Sequence, residues 1–124
     1  MTGLVVLDIH KVWGWVVVLG NAAAGLWALA AHRWPRLRSR LLWWFVGFTQ
    51  VTVFVQAILG AVVVNRYDIE LPQMHALYGF SGIVAVGIIY SYRTSHFMKG
   101  KEHLLYGLGC LFIMGLGIRA MILA

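Results

Sequence analysis

The chain has 124 residues, 61% of them hydrophobic and 11% charged, with a mean hydropathy of +0.82. So apolar a chain has too little polar surface to cover a water-soluble domain, which points to an integral membrane protein. Ten Lys and Arg against four Asp and Glu give a formal charge of +6, but the basic residues fall between apolar runs, so no nucleic-acid partner is expected.

In chain order, four apolar runs stand at about 4–31, 41–64, 72–92 and 104–124, each near the 20 or so residues that a helix needs to cross the hydrocarbon core. The first shows no basic n-region and no A-x-A site, so no cleavable signal is expected. It stops at His32-Arg33-Trp34-Pro35, and Asn65-Arg66-Tyr67-Asp68-Ile69-Glu70 closes the second. Pro72 suits the first turn of the third helix. A polar turn over 93–103 precedes the fourth. The expected fold is all-α: an up-down four-helix bundle in a single transmembrane domain, 1–124, with no room for a soluble domain. Cys110 is the only cysteine, so no internal disulfide forms.

The chain also repeats itself. His10, Trp13, Gly14 and Trp15 recur as His75, Tyr78, Gly79 and Phe80. Leu41-Leu42-Trp43 recurs as Leu104-Leu105-Tyr106, and Gln56-Ala57-Ile58-Leu59 falls opposite Arg119-Ala120-Met121-Ile122. The offset is about 65 residues in the first half and about 63 in the second, as expected of a duplicated helical hairpin with a pseudo-two-fold axis along the membrane normal.

Arg33, Arg36, Arg38, Arg40, Arg93, Lys99 and Lys101 all lie in the first and third connections, which should face the cytoplasm across the cell membrane. Both termini, Asp8, Asp68 and Glu70 are then expected outside. Gly20, Ala24 and Ala28 recur every four residues and suit close helix packing. Asn21, Thr49, Gln50, Thr52, Gln56 and Ser81 are expected to hydrogen-bond between helices.

This topology puts His10 and His75 at the outer ends of the first and third helices, facing each other across the axis. A lone interfacial histidine is ordinarily an anchor. Two at equivalent positions can ligate one haem iron from opposite sides. Gly14 and Gly79, one turn further along, would clear room for a flat macrocycle. Arg119 lies near the same level, where it would either pair with a haem propionate or snorkel to the surface. His32 and His96 form a second pair at the inner ends. His32 lies about 33 Å from His10 at 1.5 Å per residue, which places it among the headgroups. A second haem there is a secondary option, and His103 is expected in the connecting turn.

His10 with Gly14, the Gln56-Ala57-Ile58-Leu59-Gly60-Ala61-Val62-Val63 segment and Leu71-Pro72-Gln73-Met74-His75-Ala76-Leu77 together resemble one four-helix half of haem A synthase. The resemblance implies a membrane bundle holding haem (b or a related type) between His10 and His75, with Gln56 near it, and an activity that converts haem O to haem A by oxidising a ring methyl group. Half-length members would act as homodimers. Where the family carries a glutamate before the first histidine, this chain has Asp8, which the resemblance makes the candidate catalytic acid. Three readings of different class remain: a haem-binding membrane cytochrome or synthase-like oxidoreductase, a non-catalytic accessory subunit of a larger respiratory membrane complex, or a small transporter using Asn21, Gln50, Gln56 and Arg119.

Overall fold

A computed structural model describes residues 2–67 and 72–123. Among these the chain forms four α-helices, α1 (Thr2–Arg33), α2 (Arg40–Tyr67), α3 (Gln73–Tyr92) and α4 (Glu102–Ile122), with 3-10 turns at Pro35–Leu37 and His96–Met98. All four helices are long and apolar enough to cross a membrane. The expected outer connection carrying Asp68 and Glu70 lies outside the described residues.

Local chemistry sets the helix ends. Pro35 cannot continue a helix, and the last carbonyls of α1 are satisfied by Arg38, whose Nε donates to Ala31 O at 2.8 Å and Nη2 to His32 O at 3.1 Å. A cation at a helix C-terminus also meets the negative end of the dipole. Ser39 Oγ accepts from Leu42 N at 3.3 Å and caps α2. Pro72 immediately precedes α3 and lends its carbonyl to Ala76 N at 3.0 Å. Gly100, with φ +82°, makes the turn into α4. That helix begins at Glu102, so His103 belongs to its first turn and not to the connecting loop.

Large apolar side chains face outward all along the bundle, among them Trp15, Leu26, Trp44, Phe48, Phe80 and Phe112. Water gives no reason for such a surface, whereas lipid does. Inside, Ala24, Ala28 and Ala31 of α1 are fully buried beside Val46 and Val53 of α2, Val86 and Ile89 of α3, and Cys110 and Ile113 of α4.

The packing is not two-fold. α1 lies along α4 and α2, and α3 lies along α4, whereas α2 and α3 barely touch. A two-fold relating the hairpins would make the α1–α4 and α2–α3 seams alike. Glycine explains the difference. A Cβ on Gly107 would lie 2.6 Å from Leu29 Cγ and 3.0 Å from Leu29 N, and one on Gly25 would lie 2.8 Å from Leu111 Cγ and 3.0 Å from the Gly107 carbonyl. The α1 and α4 backbones therefore touch directly. On the α2–α3 side a Cβ on Gly82 would make only an ordinary contact, 3.4 Å from Val53 Cγ1, and Gly47 and Gly79, like Gly87 elsewhere on α3, have nothing within 4 Å of a Cβ.

The mid-depth polar residues bond differently from expectation. Thr49 Oγ1 donates to Val46 O at 2.7 Å, Thr52 Oγ1 to Thr49 O, and Asn21 Nδ2 to Val17 O at 2.8 Å, all within their own helices. A helical carbonyl one turn back is simply the nearest acceptor for a short polar side chain. The bonds that cross between α1 and α2 come from Trp13, whose Nε1 donates to Thr52 O at 3.0 Å, and from Gln56.

Gly107→Ala should therefore destabilise the bundle by about 1–3 kcal/mol, because the added methyl meets backbone. Gly87→Ala, with nothing nearby, should be neutral or slightly stabilising through helix propensity. Thermal denaturation of both variants in one detergent checks the contrast.

Candidate functional site

The gap left between α2 and α3 is a cavity of about 440 Å³ at the end of the bundle where α1 and α3 begin and α2 and α4 finish. Its lining is small and apolar, with Ala57, Gly60 and Ala61 from α2, Gly79 and Gly82 from α3, and Gly117 and Ala120 from α4. The polar groups converging on it are few: His10, Gln56, Asn65, His75 and the Tyr78 hydroxyl.

The two histidines meet there. Their ring centres are 6.2 Å apart and their planes stand at 81°. An imidazole nitrogen lies about 1.2 Å from its ring centre and a metal–imidazole bond is about 2 Å, so trans ligands of one metal have ring centres about 6.4 Å apart. The observed centre-to-centre separation of 6.2 Å is close to that value.

Each ring is held from behind. His75 Nδ1 lies 2.7 Å from Ala120 O. A carbonyl only accepts, so Nδ1 carries the proton and the neutral ring keeps its lone pair on Nε2. A backbone carbonyl that fixes the tautomer in this way is the usual support for a metal-ligating histidine. The His10 ring rests on Gly60, where a Cβ would come within 3.1 Å of Cε1. Gln56 Nε2 donates to His10 O at 2.9 Å and so pins this turn of α1 to α2. His10 Nδ1 is buried with no hydrogen-bond partner, which is costly unless another group meets it.

Of the residues singled out from sequence, His10, Gly14, Gln56, His75 and Gly79 all line this cavity. The two glycines differ in role. A Cβ at Gly79 would meet open space, so the position clears room. One at Gly14 would lie 2.9 Å from Met121 Cε and 3.2 Å from Gln56 Nε2, so Gly14 admits neighbouring side chains and leaves no clearance for a macrocycle. Arg119 is exposed and not part of the lining; its guanidinium sits 5.9 Å from the centre of the Tyr78 ring, which is part of it. Asp8 is exposed and also absent from the lining. His32 ends α1 and His96 lies in the second 3-10 turn, away from this cavity.

Sequence reasoning missed the Ala120 carbonyl, which as a backbone acceptor leaves no sequence signal. It also missed Gly60 as the seat of the His10 ring. A signal for that was present: Gly60 follows Gln56 by four residues and so shares its helical face.

Among the described residues no three His, Cys, Asp or Glu side chains gather around one point. A metal held by protein donors alone therefore lacks its ligands here, whereas a haem iron takes four nitrogens from its macrocycle and needs only two from protein. No family model, curated protein or solved structure matches the chain.

Gln56→Leu should cost about 0.6–1 kcal/mol, the usual worth of one interhelical hydrogen bond in a membrane bundle. Denaturant unfolding in mixed micelles measures it. A loss no larger than that of an exposed α2 substitution such as Ile58→Ala would refute the pinning role.

Proposed function

We propose that this chain is a haem-binding membrane protein of the cytochrome kind, with one haem held between His10 and His75. The observation that carries the reading is the facing pair itself: two rings 6.2 Å apart in an apolar cavity, one with its tautomer fixed by a carbonyl. Gly79 fits the reading because it leaves the α3 wall bare. Haem supplies one-electron transfer when bound, at a potential tuned by its axial ligands and by the dryness of its surroundings.

His10 and His75 would hold the haem iron from both sides, which would favour electron transfer over chemistry that needs an open coordination site. For oxidation of a haem methyl group, as in the haem A synthases that the motifs resemble, the resemblance makes Asp8 the candidate acid. Asp8, exposed and outside the lining, is poorly placed to serve. Arg119 beside Tyr78 is placed to meet a propionate at the cavity edge.

The arrangement in the membrane belongs to the same reading. Residues early in α1 and α3 meet residues late in α2 and α4, which supports the up-down bundle. Arg33, Arg36, Arg38, Arg40, Arg93, Lys99 and Lys101 then gather at the opposite end. With that end cytoplasmic, the histidine pair sits near the outer face of the cell membrane.

The dithionite-reduced minus oxidised visible spectrum of the detergent-purified protein should show sharp low-spin haem bands. His10→Ala and His75→Ala should each lose them while keeping wild-type helical circular dichroism. A colourless protein that takes up no added haem would overturn the reading.

A further inference from the structure

The α2–α3 seam opens a second time, at the other end of the bundle. This cavity, of about 350 Å³, is lined by Trp43, Val46, Gly47 and Gln50 of α2, Tyr90 of α3 with Arg93 at its end, and Glu102 and Tyr106 of α4. None of these residues borders the histidine cavity.

The wall is chemically particular. Gln50 lies seven residues into α2 from Trp43, about 10 Å deeper along the axis, and its Nε2 is buried without a hydrogen-bond partner. Arg93 stands at the shallow end, its guanidinium 5.5 Å from the Tyr90 ring centre. Trp43 makes an aromatic side, edge-on to Tyr106 at 5.2 Å and tilted against His103 at 4.8 Å. The Gln50 amide and the Arg93 guanidinium therefore belong to lining residues at two depths along one aromatic surface. At Gly47 a Cβ would meet nothing within 4 Å, so the cavity is bare there.

We propose that this cavity binds the head group of a membrane-dissolved quinone. A flat ring with carbonyl oxygens at opposite ends offers acceptors to both Gln50 and Arg93 and lies against Trp43, while its apolar tail leaves through the α2–α3 gap. A phospholipid head group fits less well. Its phosphate would have to sink about two helical turns to reach Gln50, past Glu102, whose carboxylate shares the wall and accepts from Gly100 N at 3.1 Å. The proposal rests on these residues alone and is independent of haem binding.

Titration of the purified full-length protein with a decyl-tailed benzoquinone, read by tryptophan quenching and by retention on the immobilised protein, tests it. Saturable binding is expected. Gln50→Leu should weaken it about tenfold, as one hydrogen bond to a buried donor is lost. Gly47→Phe, placed where a Cβ meets nothing within 4 Å, should abolish it, and Gly79→Phe, placed likewise in the histidine cavity, should leave it unchanged. Absence of saturable binding overturns the proposal. So does binding that survives Gly47→Phe, binding lost in Gly79→Phe, or displacement of the quinone by phosphatidylethanolamine or phosphatidylglycerol at comparable concentration. Should Gln50→Leu fail to fold, the two glycine variants decide the matter.

Discussion

Direct backbone contact between α1 and α4 is the constraint on which the remaining architecture depends. In lipid no hydrophobic force presses helices together, so association comes from van der Waals contact and a few hydrogen bonds, and the closest approach gains most. Gly25 and Gly107 provide it, each leaving space that the opposite helix fills to within about 3 Å. α2 and α3 stand apart, and both cavities lie along the seam between them.

Some of the polar groups left unpaired belong to residues along the same seam. A buried donor or acceptor without a partner costs about 1–3 kcal/mol, a large fraction of the 5–15 kcal/mol by which a domain is ordinarily stable. His10 Nδ1 belongs to a residue lining one cavity and Gln50 Nε2 to a residue lining the other. The comparable polar residues elsewhere on α2, Thr49 and Thr52, have satisfied themselves on their own helix. Asn21 Oδ1, His32 Nδ1 and His103 Nε2 are unpaired as well and border neither cavity, so the cost is shared between the open seam and the rest of the bundle.

Much of the architecture was legible in the sequence, because twenty-residue apolar runs in lipid have one backbone solution. The facing of His10 and His75 was legible too, since a duplicated hairpin puts equivalent residues at the same depth. Depth comes from counting 1.5 Å per residue, and needs no knowledge of side-chain contacts. What failed was much of what depends on how neighbouring helices pack side by side. Thr49 and Gln56 share a helical face and look alike as potential hydrogen bonders, yet only Gln56 has the reach to bond across to α1. Gly14 and Gly79 are equivalent in the repeat, but one is pressed by Met121 and the other is open. The repeat implied a symmetry that glycine placement on α4 breaks.

That broken symmetry decides how a ligand as large as a haem would reach the histidines. Were the α2–α3 seam as close as the α1–α4 seam, the rings would be sealed on every side by packed helices, and loading would require the bundle to unfold locally. With α2 and α3 apart, the wall facing the bilayer is made of Gly79, Phe80 and Ala61, of which only Phe80 has a bulky side chain, and it is exposed. A flat apolar molecule dissolved in the membrane can then enter sideways while the α1–α4 contact stays whole. The seam that weakens the bundle also gives its two cavities an entrance from lipid, and the strength of the glycine contact opposite makes that weakness tolerable.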